Sequence, residues 1–375
     1  MSATSTDPTT ELADVLVALA DGNFRGYSPT YERIARAWAE DPDLLTTTLE
    51  LRPEGMPVSM LPISLLAVVH ELVLREPDLA LAAIYRGEEQ DPWPAFRDLV
   101  TARAPEIRTR LANCSIQTNE VGRSAALIPS LAWITEQLPG RDLALVEIGP
   151  SAGLNLLADH FFIEYRNPGG TALATGDPSS PVRLQCDLKG DTTPPLPAGP
   201  LPIVARTGID LDPIDVHDPD ATRWLEACLW PGVTDRQERL RRAIELVRHA
   251  PHPPRLHAGD VLDLLDPVIE DLPPGAVPVV FSTWALAYLT RQRRQEVHDR
   301  VAAHGTGRDI VLLTAEYPHV IPWVPAARRP HVEEGTDATL VGVAWWRDGH
   351  ARSAPLAWTH AHGAWLDWIG GEGSS

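Results

Sequence analysis

The sequence predicts an α/β protein: an all-helical N-terminal region, then a mostly parallel sheet that ends in an antiparallel hairpin. From residue 142 onward, short apolar runs alternate with helical stretches, which is typical of parallel strands covered on both faces. The stretch Leu143–Leu157, LALVEIGPSAGLNLL, joins an apolar strand, a glycine turn and a helical segment. Near the other end, Asp348-Gly349 separates two strand-like runs, and Asp-Gly favours a tight hairpin turn.

The N-terminal third of the chain has the periodicity of helices. Leu12, Val15, Leu16 and Leu19 recur at helical spacing, and no alternating strand pattern follows before residue 115. We therefore expect a disordered tail over residues 1–10, a helical region over 11–115 and the α/β domain over 116–375. An insertion is expected within that domain, at about residues 162–201.

Composition restricts the classes of partner. The formal net charge is −19, and a surface this acidic repels nucleic acid and anionic lipid. The N-terminus lacks a signal-peptide pattern, and no apolar run approaches the length of a membrane span. We expect a cytoplasmic protein that acts on a small molecule, without nucleic-acid or membrane partners, and with a protein partner or homodimer as open possibilities.

Neither cysteines nor histidines form a pattern that predicts a metal site. Cys114, Cys186 and Cys228 lie far apart and form no C-x-x-C pair, so disulfides and thiolate zinc are not expected. The pairs His252 with His257 and His360 with His362 lack an assured carboxylate or cysteine partner.

The glycine loop carries the first functional signal. Gly149 and Gly153 are spaced G-x-x-x-G, with Glu147 two residues before the first glycine. This pattern resembles motif I of class I S-adenosylmethionine methyltransferases. The resemblance implies that S-adenosylmethionine is the cofactor, that Glu147 attracts its ammonium group, and that Gly149, Ser151, Gly153 and Asn155 line its site. The alternative is a glycine turn in an ordinary α/β crossover.

Two later acids resemble further methyltransferase motifs. Asp210 follows a strand-like run and matches the acid that binds the ribose hydroxyls, with Asp212 as a close competitor. Asp260, after Gly259, matches the position beside the adenine amino group, although Gly-Asp before a helix is also a common N-cap. Asp210 follows Gly149 by 61 residues, where roughly 20 are usual. Either the 162–201 insertion forms a lid over the site, or the second strand is misassigned.

A wider resemblance rests on several blocks that occur in order. They are Gln117–Ala125, Glu147–Leu157, Gly208–Val216, Arg223–Leu225 and Trp230-Pro231. Together they resemble a bacterial family of unknown function, common in actinobacteria, over roughly residues 15–370. The resemblance implies a Rossmann-like, methyltransferase-type core. Within the first block, Asn119 and Arg123 are candidate substrate-binding residues and Glu120 is a candidate catalytic residue; the alternative is a capping and salt-bridge cluster.

The ends of the fourth and fifth predicted strands should face the substrate. Thr283, Trp284 and Tyr288 follow the fourth, and Glu316 ends the fifth. We expect Thr283, Tyr288 and Glu316 to be catalytic, with Glu316 as a general base, and Trp284 to bind substrate. A solvated strand-end acid is the alternative for Glu316.

Three hypotheses for function follow. The first is an enzyme that methylates a small molecule, in specialised metabolism. The second is an enzyme of the same fold that does not use the cofactor, in which Glu120, Glu147, Asp210 or Glu316 abstracts a proton during an elimination or cyclisation. The third is a non-catalytic assembly partner whose helical region docks another protein.

Overall fold

The protein divides into two compact units. The computed structural model describes residues 7–88, 90–167, 169–328, 330–332, 336 and 338–370. One unit comprises Met1–Thr118 and Asp218–Glu238, and the other comprises Asn119–His217 and Arg239–Ser375. The first six residues of the expected tail lie outside the described residues, while Pro8 already begins a helix.

The α-helices are α1 Pro8–Ala18, α2 Pro29–Ala39, α3 Pro42–Leu51, α4 Leu61–Arg75, α5 Ala80–Tyr85, α6 Pro92–Ala102, α7 Ala104–Leu111, α8 Ser124–Gln137, α9 Pro219–Ala227, α10 Thr234–Arg248, α11 Val261–Glu270 and α12 Arg291–His304. The strands are β1 Leu143–Ile148, β2 Phe162–Arg166, β3 Leu173–Thr175, β4 Arg183–Lys189, β5 Ile203–Asp210, β6 Arg255–Ala258, β7 Val277–Thr283, β8 Ile310–Glu316, β9 Thr339–Arg347, β10 His350–Thr359 and β11 Trp365–Trp368.

The first unit is helical, in agreement with the predicted helical region. Apolar side chains at helical spacing on α1, α2 and α4 form its core. Asp218–Glu238 belongs to this unit, which corrects the prediction that the segment is part of the α/β domain. Trp224 of α9 is the physical reason: it is buried in the helical core, and its Nε1 donates to the Ser115 carbonyl at 2.9 Å.

One stretch of this unit corrects the expectation that no apolar run has the length of a membrane span. Val58–Arg75 has the length and hydropathy of a membrane span, and 67% of it is buried inside the protein. A mostly buried core helix passes the same test of length and composition.

The second unit is built on a single mixed sheet of 11 strands in the order β3-β2-β4-β11-β10-β9-β8-β7-β1-β5-β6. The five strands β6-β5-β1-β7-β8 are parallel to one another. Among these five strands, β5 and β6 lie on one side of β1, and β7 and β8, which follow them in the chain, lie on the other side. The strand order therefore reverses at β1, where sheets of this kind bind ligands at their carboxyl edge.

The predicted antiparallel hairpin is present. β9 is antiparallel to both β8 and β10. Asp348 and Gly349 both have positive φ, 49° and 76°, as a two-residue type I′ turn requires.

The segment 162–201 extends the sheet, so the lid expected as one alternative is not formed. Its strands β2, β3 and β4 pair with one another, and β4 pairs with β11 at the edge far from β1. β5, which ends at Asp210, is the direct parallel neighbour of β1. The second strand was therefore assigned correctly despite the long separation, because the intervening residues form strands elsewhere in the sheet.

Candidate functional site

The candidate site lies at the carboxyl ends of β1, β5, β7 and β8. The parallel register aligns Glu147 with Gly208 and Phe281, and Ile148 with Ile209 and Ser282. The loops that follow these strands therefore leave the sheet side by side. They bring together residues that are more than 160 positions apart in the sequence.

The glycine turn after β1 is tightly packed. Gly149, Ser151 and Gly153 all have positive φ, which a non-glycine residue such as Ser151 adopts only at some cost. A Cβ on Gly149 would lie 2.5 Å from Ala285 Cβ, so this glycine permits close approach of the loop after β7. The segment beyond the turn, Leu154–His160, is a 3₁₀ helix broken at Leu157, which corrects the expectation of a regular helix.

Asp210 fixes the glycine turn to the end of β5. Its Oδ2 accepts from the Ser151 N–H at 2.8 Å, and its Oδ1 accepts from the Asp212 N–H at 3.0 Å. Asn155 fixes the turn from the other side, since its Oδ1 accepts from the Ser124 hydroxyl at 3.0 Å. Asp210 is half-buried, whereas the Asn155 side chain is enclosed.

Asp260 takes the capping role that the sequence analysis gave as the alternative. Its Oδ1 accepts from the Leu262 N–H at 2.8 Å at the start of α11, and its carboxylate pairs with Arg293 at 2.5 Å. The helix cap and the ion pair with Arg293 therefore occupy the Asp260 carboxylate.

The segment Asn119–Arg123 links the loops of the carboxyl edge. Asn119 Nδ2 donates to the Pro150 carbonyl of the glycine turn at 2.7 Å. Arg123 donates from its guanidinium to the Thr283 carbonyl at 2.9 Å and from Nε to the Ala361 carbonyl at 3.1 Å. This segment is therefore hydrogen-bonded to the glycine turn, to the end of β7 and to the loop after β10.

Glu120 lies against His362, a histidine that the sequence suggested only as a metal ligand. Its buried carboxylate accepts from the Gly122 N–H at 2.9 Å, and its Oε2 lies 3.4 Å from His362 Nδ1. A Cβ on Gly363 would lie 1.9 Å from the Gly122 carbonyl oxygen, so the two backbones touch. Nothing local in the sequence pairs residues 242 positions apart, and no signal there could have found this contact.

The end of β7 holds a strained tryptophan. Trp284 has φ of 70°, a conformation that is a genuine outlier for a bulky residue and that clusters at functional sites. Its Nε1 donates to Thr339 Oγ1 at 3.1 Å, its ring contacts Tyr317, and Arg123 lies 5.8 Å from its ring centroid. Thr283 is half-buried beside it, whereas Tyr288 is 78% exposed.

Glu147 is a buried acid at the centre of the edge. Burial raises its pKa to about 8; the Arg123 guanidinium opposes the rise, and the Asp210 carboxylate adds to it. Oε2 of Glu147 has no hydrogen-bond partner within the described part of the chain.

Glu316 is also buried, so the alternative of a solvated strand-end acid is wrong. Burial raises its pKa to about 7, while hydrogen bonds from Ser282 Oγ and the Leu286 N–H oppose the rise. Its Oε1 accepts both bonds at 2.9 Å and thereby holds the turn after β7. Ser282, which the sequence analysis did not single out, is the side chain that fixes this acid.

Two cavities of this unit lie away from the carboxyl edge. One, of about 280 Å³, opens at the first residues of β7 and β8 between Trp133 and Trp345. The other, of about 710 Å³, lies along the first half of β5. Convergent polar groups, rather than volume, therefore identify the candidate site.

Residues 13–368 match the profile of DUF2332, described as an uncharacterized protein conserved in bacteria. The chain belongs to this family. A search of curated proteins finds no significant match. Since the DUF2332 region covers both units, the helical unit and the sheet are parts of one family architecture.

Proposed function

We propose that this DUF2332 protein is an enzyme that binds S-adenosylmethionine at the carboxyl edge of its sheet and methylates a small molecule. One observation carries the proposal. At the point where strand order reverses, the glycine turn, the end of β5 with Asp210 and the buried Glu147 lie on adjacent strands. The resemblance of these residues to methyltransferase motifs supports the same ligand.

The polar groups present fit a nucleoside that carries hydroxyl and ammonium groups. A carboxylate oxygen accepts two hydrogen bonds, so each Asp210 oxygen retains capacity for a ribose hydroxyl beside its backbone N–H. Asn119 Oδ1 and Glu147 Oε2 are further acceptors next to the glycine turn. A pyrophosphate needs donors there, and these acceptors disfavour it.

In this reaction the residues of the site bind and orient the cofactor and the substrate, and they do not form covalent bonds with either. S-Adenosylmethionine, when bound, supplies a methyl group already activated by its sulfonium. The chain then has to align the acceptor atom with that methyl group. Trp284, flanked by Arg123 and Tyr317, offers an aromatic wall for the substrate.

A proton released by the methyl acceptor needs a recipient near the substrate. The His362 side chain is 27% exposed and lies beside the buried Glu120, and histidine is the commonest general base. Glu316 is fully enclosed and engaged by Ser282 and Leu286, so we assign it to positioning the turn after β7.

Isothermal titration calorimetry with S-adenosylmethionine and S-adenosylhomocysteine tests the proposal directly. We expect Asp210→Asn to weaken both ligands by about tenfold or more, because hydrogen bonds to charged groups contribute about 1.5–3 kcal/mol. Asp215→Asn is the matched control, since Asp215 is exposed on the loop that follows β5 and accepts from the His217 N–H of the same loop. Absence of binding heat with both ligands in the wild type would refute the proposal.

A cofactor-independent proton transfer is the second candidate. The observation that favours it is that two carboxyl groups are buried at the carboxyl edge, Glu147 on β1 and Glu316 at the end of β8. Burial raises their pKa values to about 8 and about 7, and general catalysts work best near the operating pH. Turnover of a substrate in dialysed enzyme without added cofactor would favour this reaction over methyl transfer.

A further inference from the structure

Three rings form an aromatic row at the carboxyl ends of β7 and β8: those of Trp284, Tyr317 and His319. The Trp284 and Tyr317 rings meet edge to face with centroids 4.6 Å apart, and the His319 ring stacks on Tyr317 at 5.7 Å. Trp284 and Tyr317 are half-buried and His319 is exposed. Part of the aromatic row is therefore accessible to a molecule from solvent.

Trp284 is held in a backbone conformation that tryptophan rarely adopts. Its φ is 70°. Its N–H donates to the Ala315 carbonyl of β8 at 3.2 Å, and the Leu286 N–H two residues later is bound by Glu316. The indole Nε1 donates to Thr339 Oγ1 at 3.1 Å, which fixes the ring. Glycine or asparagine adopts a positive φ at lower cost, so the turn alone does not account for a tryptophan at this position.

The aromatic row lies beside the glycine turn, where the cofactor is proposed to bind. Ala285 directly follows Trp284 in the sequence. A Cβ on Gly149 would lie 2.5 Å from Ala285 Cβ, so the turn after β7 and the glycine turn are in contact. A molecule packed against Trp284 therefore lies at the same part of the edge as a group bound at the glycine turn.

Arg123 places a positive charge beside Trp284, with its guanidinium carbon 5.8 Å from the ring centroid. The group donates to the Thr283 and Ala361 carbonyls, and bonds to carbonyl oxygens orient a guanidinium without cancelling its charge. That charge opposes the rise in the pKa of both Glu147 and Glu316, so its field extends across the carboxyl edge. In a chain of net charge −19, attraction of an anion depends on such a local cation.

We propose that the methyl acceptor is a planar aromatic acid whose ring packs against Trp284 and whose carboxylate lies beside Arg123. This inference rests on the proposed function, which places the methyl donor at the glycine turn. Aromatic rings attract one another in offset or edge-to-face contact beyond the effect of buried area alone. A guanidinium attracts a carboxylate through charge-assisted hydrogen bonds. A saturated ring lacks the first attraction, and a neutral molecule lacks the second.

Three related probes separate ring shape from charge. Naphthoate is planar and anionic, decalin carboxylate is anionic but saturated, and naphthamide is planar but neutral. Isothermal titration calorimetry of each probe into the wild-type protein, with and without S-adenosylhomocysteine, measures the affinities. We expect naphthoate to bind about fivefold more tightly than decalin carboxylate and about tenfold more tightly than naphthamide.

Paired variants assign each preference to its residue. Trp284→Leu should remove the preference for naphthoate over decalin carboxylate, and Trp284→Phe should retain it. Arg123→Gln should remove the preference for naphthoate over naphthamide, and Arg123→Lys should retain it. Thermal melts establish that each variant is folded.

Trp345→Leu is the matched control. Trp345 is also half-buried and forms an edge-to-face pair with Trp133, but it lines the cavity at the first residues of β7 and β8. Its replacement should change neither preference. Loss of naphthoate binding in Trp345→Leu, with unchanged binding in Trp284→Leu, would place the probe in that cavity and overturn the inference.

Failure of this inference is distinguishable from failure of the proposed function. A wild-type protein that binds S-adenosylhomocysteine, but binds naphthoate no more tightly than one of the two analogues, would overturn the aromatic acid and leave the proposed function in place. A wild-type protein that binds no S-adenosylhomocysteine, but shows both preferences through Trp284 and Arg123, would overturn the proposed function and leave a site for an aromatic acid.

Discussion

The buried carboxyl group of Glu147 makes the stability of the folded protein depend on pH. Its ordinary pKa is 4.5, and the folded protein raises it to about 8. The unfolded chain releases this proton at lower pH than the folded chain does. The stability associated with the protonated group is therefore complete below about pH 4.5 and is lost as the pH rises through about 8.

Replacement of Glu147 by glutamine removes this dependence. Glu147→Gln should gain stability relative to the wild type as the pH rises from 5 to 8, by at most about 1.4 kcal/mol per pH unit. Urea unfolding at each pH, followed by tryptophan fluorescence, measures the difference. Glu136→Gln is the control, since Glu136 is exposed on α8. Parallel pH profiles for wild type and Glu147→Gln would contradict the assigned cause.

Among the elements, the β9–β10 hairpin has a turn in which backbone conformation alone accounts for the glycine at position 349. Gly349 has φ of 76°, and no atom lies within 4 Å of the Cβ it would carry. A substitution there meets no steric obstacle from neighbours. Its cost must therefore come from the left-handed conformation itself.

Alanine substitutions test this directly. Gly349→Ala should lower the free energy of unfolding by about 1–2 kcal/mol. Gly307→Ala, at a glycine equally free of neighbours but without a positive φ of this kind, should change it little. Chemical denaturation of both variants gives the comparison. A similar loss in both would show that the turn conformation is not the cause.

At the scale of the whole molecule, charge is the dominant feature. The chain carries a formal net charge of −19 at pH 7, and self-repulsion of this size opposes the compact state. The sequence pI is about 5.0, so the repulsion nearly vanishes at that pH.

Salt should therefore stabilise the protein in a pH-dependent manner. Raising sodium chloride from about 10 mM to about 0.1 M shortens the Debye length from about 30 Å to about 10 Å. The thermal midpoint, measured by differential scanning fluorimetry, should rise by a few degrees at pH 8 and by less at pH 5. Equal shifts at both pH values would instead indicate binding of a specific ion.

The sequence by itself determined the α/β class, the bounds of β1, the glycine turn and the Asp-Gly hairpin. These features follow from local signals: apolar periodicity, turn residues and short spacings. The tertiary structure alone decided that Asp218–Glu238 joins the helical unit, that residues 162–201 extend the sheet, and that Glu120 meets His362. It also decided the burial that raises the pKa of Glu147 and Glu316. Packing and desolvation depend on groups far apart along the chain, and local patterns carry no record of those contacts.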